Sequence, residues 1–280
     1  MAVGDGVERA ALVGDLLFIA ATPAILVTVH FFLPPAVHDR FVLQPGSPEP
    51  ITLFTAAFVH ADTAHLAGNV VGFTVGLLSA YLLCLHLQER RWFWLSTITL
   101  VCGLPVVVNW TSMQLLAVYV DGGVAATLGF SGVAAGAGGF TFAALLAFIG
   151  RRTDWSTGYF AGMGVFLLLC WEVLLIYTDA LPPAETGLVA IGVGLAAVQI
   201  GRRTIDDGLP TSRDGWFRAV GALAVCLGIL GVLVALVAVM FPADVVEDGQ
   251  FTNVLAHALG FGYGVVLSGW GYRYWRTTYP

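Results

Sequence analysis

The chain has 280 residues, of which 58% are hydrophobic and only 11% are charged, and its mean hydropathy is +0.85. A soluble domain carries roughly 25% charged residues, so this composition excludes a soluble globular protein. Eighteen acidic residues, twelve arginines and no lysine give a formal net charge of −6, which argues against nucleic acid as a partner.

Eight apolar blocks are long enough to cross a bilayer, and backbone groups in lipid must pair internally, so each block is predicted to be a helix. In chain order the predicted spans are about 14–34, 64–86, 92–109, 128–149, 158–179, 185–201, 216–241 and 251–272. The proline-rich segment at about 35–61 is predicted to be an ordered first outer loop that dips toward the bilayer. The sequence therefore predicts an all-α polytopic transmembrane helix bundle that forms one membrane domain over residues 1–280.

The positions of the arginines predict the orientation of this bundle. Loops on the cytoplasmic side of membrane proteins collect arginine and lysine. With eight spans, eleven of the twelve arginines fall on one side and only Arg40 falls on the other. We therefore expect a multi-pass protein of the cell membrane with both termini in the cytoplasm.

Few polar side chains lie within the apolar blocks, and each is a functional candidate because polar groups are costly in lipid. His65 and Asn69 are four residues apart in the second span and share one helix face. They could bind a developing oxyanion, although a polar contact between helices explains them equally well. Ser131 lies in the Gly-Phe-Ser-Gly string 129–132 of the fourth span, and His257 lies in the last span.

Glycine spacing predicts that the helices carrying Ser131 and His257 are neighbours. Each of these spans has a pair of glycines four residues apart, namely Gly132 with Gly136 and Gly260 with Gly264. Such pairs form smooth faces on which helices approach closely. Both spans start on the outer side, which places both side chains roughly 5–10 Å below the surface. Because no Asp or Glu lies in the span of His257, the pair would be a dyad and not a triad.

Taken together, these motifs resemble the rhomboid family of intramembrane serine proteases. The family's His followed by His-x-x-x-Asn matches His60 and then 65–69, its Gly-x-Ser-Gly matches 129–132, and its Ala-His-x-x-Gly-x-x-x-Gly matches 256–264. The three motifs occur in the family's order. The resemblance implies a rhomboid-like six-helix core, to which this chain would add about two helices within 158–241.

The resemblance also implies an intramembrane serine endopeptidase that cleaves transmembrane segments of membrane-protein substrates. By this resemblance, Ser131 would be the nucleophile and His257 the general base. His65, Asn69 and the Ser131 amide would bind the oxyanion. His60 would be an auxiliary residue that lines the cavity, and Gly129 and Gly132 would flank the serine. The implied partners are the lipid bilayer and transmembrane protein substrates. No metal, cofactor, nucleotide or nucleic acid is implied.

Three features depart from the family pattern. Three predicted spans separate the serine and histidine helices, whereas the basic family core has one. Ala135 occupies the position, four residues after the serine, where family members often carry Tyr. The first loop lacks the Trp-Arg pair that is common in the family. Two other interpretations stay open. One is a catalytically inactive rhomboid-like protein that binds membrane clients, and the other is a transporter, for which Glu172, expected at mid-depth, would be the signature.

Overall fold

A computed structural model describes residues 9–119, 126–178, 182–206, 208, 210–247 and 250–278. It is 84% helical, and eight of its helices are long and apolar enough to cross a membrane. The protein is therefore an all-α multi-pass membrane protein, and the prediction of eight spans is confirmed.

The helices follow one another in chain order, and the longest of them match the predicted spans. They are α1 Arg9–Phe32, α2 Pro35–Phe41, α3 Thr52–Thr55, α4 Thr63–Leu87, α5 Arg90–Tyr119, α6 Ser131–Arg152, α7 Trp155–Ile176, α8 Pro183–Asp206, α9 Arg213–Met240 and α10 Val254–Thr278. A 3-10 turn, Ala56–Phe58, follows α3, and the short antiparallel strands β1 Val246–Glu247 and β2 Gln250–Phe251 precede α10.

Helix α5 extends ten residues beyond the end predicted for the third span. The sequence here turns polar at Asn109, Thr111 and Ser112. In the structure Thr111 Oγ1 donates to the Val107 carbonyl at 2.7 Å and Asn109 Nδ2 donates to the Leu53 carbonyl at 2.9 Å. Because these polar groups bond to backbone carbonyls, they do not interrupt the helix.

The first loop packs against the segment that precedes Ser131. Leu43 and Thr127 exchange both backbone hydrogen bonds, at 3.1 and 2.9 Å, in an isolated antiparallel bridge. The Gly129 amide donates to the Ala56 carbonyl at 2.9 Å. These three bonds hold the segment that leads into α6 against two buried residues of the loop, Leu43 and Ala56.

Helix α6 is the centre of the bundle. Of the residues in its apolar stretch, 89% are buried, and it packs against α4, α5, α7, α9 and α10. Helix α8 lies at the periphery, because it packs chiefly against α7 and only 6% of its apolar stretch is buried. The side chains of α6 near its start are mostly Gly and Ala, which lets its neighbours approach closely.

Helices α6 and α10 meet through the two predicted glycine pairs. A Cβ at Gly260 would overlap the backbone of Gly132, and a Cβ at Gly264 would overlap the backbone of Gly136. The two helix axes therefore approach as closely as backbone atoms allow. This contact brings together the first turns of α6 and α10, which carry Ser131 and His257.

A buried ion pair joins α1 to α4 and α5 at the end of the bundle where α5 begins. The Asp15 carboxylate accepts hydrogen bonds from Arg90 Nε and Nη2, both at 2.8 Å, from Tyr81 at 2.6 Å and from Trp94 Nε1 at 2.8 Å. Asp15 is fully buried, whereas the Arg90 side chain is 35% exposed. The charged carboxylate is thus fully paired at a site away from water.

Replacing Asp15 with alanine is expected to destabilise the protein by about 2–4 kcal/mol, because Arg90, Tyr81 and Trp94 lose their common acceptor. Thermal unfolding of the purified protein in detergent, followed by circular dichroism, measures this loss. Asp39→Ala is the matched control, since the Asp39 side chain is 82% exposed and its partner is only His38. Equal melting temperatures for the two variants would contradict the role of Asp15.

Candidate functional site

A single cavity of about 800 Å³ collects the candidate residues of the three motifs. We call it the site cavity. It lies among α4, α5, α6, α9 and α10, at the end of the bundle where α4, α6 and α10 begin. The candidate residues in its wall are His65, Asn69, Gly129, Ser131, Gly132 and His257.

Ser131 is the first residue of α6, and a glycine turn aims it into the site cavity. Gly129 has φ +112°, a conformation that other residues rarely adopt. A Cβ at Gly129 would also lie 2.6 Å from the His65 ring. The turn delays the start of α6 to Ser131, three residues after the predicted start. The Ser131 amide belongs to the first turn of the helix, whose N–H groups have no intrahelical partner.

His257 is buried in the first turn of α10, and the end of α9 contacts its ring on two sides. Its Nδ1 forms a hydrogen bond with the carbonyl oxygen of Met240, the last residue of α9. The Phe241 ring meets the imidazole edge to face, with 6.2 Å between centroids and an 89° interplanar angle. Because a carbonyl oxygen only accepts, Nδ1 must carry the proton, and in the neutral ring Nε2 keeps its lone pair.

The Ser131 hydroxyl and the His257 ring share the site cavity but are not hydrogen-bonded to each other in the structure, which describes both residues. The motif segments therefore bring Ser131 and His257, the predicted nucleophile and base, into the wall of one cavity without a hydrogen bond between them. Catalytic hydrogen bonds of this kind are often long in the free enzyme and tighten when substrate binds.

His65 and Asn69 lie on one face of α4, directly against the glycine turn. A Cβ placed on Gly129 would have the His65 ring as its nearest neighbour, and Asn69 Nδ2 would lie 3.4 Å from it. Asn69 is only 6% exposed, and its amide nitrogen has no hydrogen-bond partner among the described residues. A buried donor without an acceptor costs about 1–3 kcal/mol. The donor lies beside the glycine turn in the wall of the site cavity, where a ligand could accept its hydrogen bond.

His60 is not among the residues that line the site cavity, and its auxiliary role stays a prediction. Its buried ring lies behind the glycine turn, where Nε2 accepts the Phe130 amide proton at 3.4 Å. Burial, with smaller contributions from the nearby His65, His30 and His38 rings, lowers the pKa of His60 to about 3. The ring is therefore neutral at physiological pH and stays an acceptor that holds the turn before Ser131.

Glu172 does not line the site cavity. It is four residues from the end of α7, or roughly 6 Å along the helix. Its Oε2 is buried and has no hydrogen-bond partner within the described part of the chain. The predicted span 158–179 is shifted by three residues relative to α7.

Sequence reasoning missed two groups that shape the cavity. The first is the backbone carbonyl of Met240, which bonds to His257. The sequence shows Met240 only as an apolar residue of the seventh span, and no sequence pattern indicates that its carbonyl has a special partner. Asn253 caps α10, because its Oδ1 accepts the Ala256 amide at 3.0 Å and its carbonyl accepts the His257 amide at 3.4 Å. Its position four residues before His257 was a usable signal, since residues at that spacing share a helix face.

Among the described residues, no group of three or more His, Cys, Asp or Glu side chains could hold a metal ion. Comparisons of the chain with models of known protein families, with curated proteins and with solved structures found no match. The chemistry of the site is therefore inferred from the cavity and from the three motifs.

Replacing Asn69 with alanine is expected to lower the rate of any reaction that develops an oxyanion here by about 10²–10³-fold. The variant should keep its melting temperature, because the side-chain nitrogen bonds to nothing else in the described structure. Thr141→Ala should show the opposite pattern. It loses the bond to the Gly76 carbonyl, which costs about 1 kcal/mol, and keeps its rate within roughly tenfold because Thr141 does not line the site cavity. Rate and melting temperature falling together in both variants would contradict the assignment.

Proposed function

We propose that the protein is a rhomboid-type intramembrane serine endopeptidase that cleaves transmembrane segments of other membrane proteins. One observation carries the proposal. Three distant segments place a serine hydroxyl, a histidine with a free lone pair and a buried amide donor without a partner in the wall of one cavity. Packing alone gives no reason for that donor to lack an acceptor.

Ser131 is the nucleophile, and His257 is the general base. A serine hydroxyl is a weak nucleophile until a base removes its proton. As Ser131 Oγ attacks the peptide carbonyl carbon, Nε2 of His257 accepts the proton. The same nitrogen then returns the proton to the leaving amine, and water hydrolyses the acyl-enzyme to restore the serine.

The oxyanion of the tetrahedral intermediate is bound by His65, Asn69 and the Ser131 amide. Preorganised donors of this kind stabilise charge that appears only in the transition state. The amide of Ser131 lies at the positive end of the α6 dipole, which adds to the same effect. His60 acts one step away, because its bond to the Phe130 amide holds the turn that carries these donors.

The substrate class follows from the location of the cavity between membrane-spanning helices. A peptide bond inside a stable helix is inaccessible to attack, because its carbonyl already accepts an intrahelical bond and the backbone is enclosed by side chains. A substrate segment must therefore unwind locally, and Gly or Pro near the cleaved bond would ease this. The arginines cluster at the ends of the helices opposite the site cavity, which supports a cytoplasmic position for both termini and an outward-facing site in the cell membrane.

The two helices added to a six-helix rhomboid-like core are α7 and α8, which lie within or beside the predicted interval 158–241. Helix α9 packs against α4 and α6 and contributes to the site cavity, so it belongs to the core. Helix α8 touches chiefly α7 and faces outward. Because the pair crosses the membrane twice, it leaves the orientation of α9 and α10 unchanged.

A catalytically inactive, client-binding protein is the second candidate. Ser131 and His257 share the site cavity without a hydrogen bond between them, and a cavity that only binds a client would have the same geometry. The two candidates differ in whether the Ser131 hydroxyl reacts, and both retain the cavity and its polar wall.

A fluorophosphonate probe on the purified full-length protein tests the proposal. The wild type should gain one adduct by intact mass, and Ser131→Ala should gain none. Ser268→Ala is the matched control, because it removes another buried hydroxyl, one that lies in α10 far from the cavity. An unlabelled wild type, or labelling that survives in Ser131→Ala, contradicts the protease and leaves the client-binding protein.

A further inference from the structure

The last turn of α9 packs against the second turn of α6 and of α10. Ala135 of α6 is fully buried against Leu236 and Met240 of α9, and Phe261 of α10 packs on the same cluster. The small side chain of Ala135 is what lets α9 come so near. Met240 thereby reaches His257 across the cluster.

The carbonyl of Met240 is not an ordinary helix carbonyl. It belongs to the last residue of α9, and the last four carbonyls of a helix have no intrahelical partner. These groups carry the negative end of the helix dipole, equivalent to roughly half an elementary charge, and favour cations nearby. His257 Nδ1 occupies this position, so the end of α9 faces the imidazole with partial negative charge.

We infer that the carbonyl end of α9 at Met240 is the third member of the catalytic group and takes the part that a carboxylate has in a Ser-His-Asp triad. This inference rests on the proposed protease function. The Met240 carbonyl selects the tautomer with the proton on Nδ1, so Nε2 faces the reaction as the base. It also stabilises the imidazolium that forms when the Ser131 proton moves to Nε2.

The proton balance of the step is complete without a carboxylate. Ser131 Oγ forms a bond to the carbonyl carbon as its proton passes to Nε2, and Nδ1 keeps its own proton and its bond to Met240. Collapse of the intermediate breaks the carbon–nitrogen bond, and Nε2 returns the proton to the amine. Met240 is thus a positioning group that acts through His257 and does not touch the substrate.

The tautomer of His257 tests the inference directly and without any catalytic activity. The chain has only six histidines, so the protein labelled with ¹⁵N in the imidazole rings gives a simple spectrum, and His257→Gln assigns the signal by its loss. The expected wild-type result is a protonated Nδ1 and an unprotonated Nε2 at neutral pH. A signal with the proton on Nε2 would overturn the inference.

A backbone change tests the catalytic part. Proline at position 241 disfavours the helical conformation of the preceding residue, so Phe241→Pro turns the Met240 carbonyl away from His257. Phe241→Ala is the matched control, because it removes the aromatic contact with His257 and leaves the carbonyl in place. We expect Phe241→Pro to react with the fluorophosphonate about 10–100-fold more slowly than Phe241→Ala, as for loss of other groups that orient a catalytic histidine. Equal rates would overturn the inference.

Should Phe241→Pro fail to fold, an amide-to-ester replacement serves in its place. An ester bond between 240 and 241 weakens the Met240 carbonyl as an acceptor, whereas an ester between 239 and 240 changes only bonds within α9. The inference is supported if only the ester between 240 and 241 slows the reaction and shifts the His257 signal. Equal effects of the two esters overturn it. If the wild-type protein does not react at all, the protease proposal fails, while the tautomer still decides whether Met240 orients His257.

Discussion

His257→Ala is expected to slow the reaction of Ser131 with a fluorophosphonate by a factor on the order of 10⁴ or more. Without an imidazole in the cavity, the hydroxyl has no base to accept its proton, and the oxyanion donors cannot accept it either. The second-order rate constant of labelling, measured on purified protein by in-gel fluorescence, gives the loss. Cleavage of a reconstituted transmembrane substrate should fall by a similar factor.

Two companion measurements separate a missing base from a damaged fold. His86→Ala removes an imidazole from the opposite end of α4, where Nδ1 bonds to the Leu82 carbonyl, and it should react like the wild type. Free imidazole should restore part of the rate in His257→Ala, because it can occupy the vacated space beside Ser131. A rate unchanged in His257→Ala would end the assignment of the base.

Gly260→Ala is expected to destabilise the protein by about 3 kcal/mol or more. The rate at which Ser131 is labelled by the fluorophosphonate should fall at least about 100-fold. The added methyl group would overlap the backbone of Gly132, which cannot move aside as a flexible side chain would. Helices α6 and α10 must then separate, and a shift of even 1 Å between Ser131 and His257 is costly for proton transfer. Thermal unfolding in detergent and the labelling rate measure the two effects.

Gly262→Ala is the matched control for this variant. It lies on the same helix two residues away, and a Cβ at Gly262 meets nothing within 4 Å. The same chemical change should therefore leave both stability and rate close to those of the wild type. If both glycine variants melt at the same temperature, the close contact of α6 and α10 does not hold the site together.

These two effects share one physical origin, which is the close packing of three helices at the cavity. The glycine pairs set the distance between α6 and α10, and Ala135 sets the distance between α6 and α9. The space around Ala135 is filled by Leu236 and Met240. The aromatic neighbour of His257 is Phe241, at the end of α9.

Two differences from expectation involve bonds to the backbone, and a third involves side chains far apart in the sequence. Helix α5 continues through its polar stretch because Asn109 and Thr111 donate to carbonyls. The His60 ring accepts the Phe130 amide proton beside the glycine turn. Asp15 was not among the polar candidates, because a carboxylate one residue inside an apolar block gives no sign of its partner Arg90, 75 positions away.

The amino-acid sequence was sufficient for the features that depend on composition and on short spacings. Apolar block length sets the number of helices, since lipid leaves the backbone no other partners, and spacings of four residues place His65 with Asn69 and Gly260 with Gly264 on single faces. The contacts around His257 depend on the tertiary structure. Every residue has a backbone carbonyl, so the sequence does not indicate which one will bond to the imidazole. The carbonyl of Met240 does so because α9 ends at that residue and packs beside Ala135.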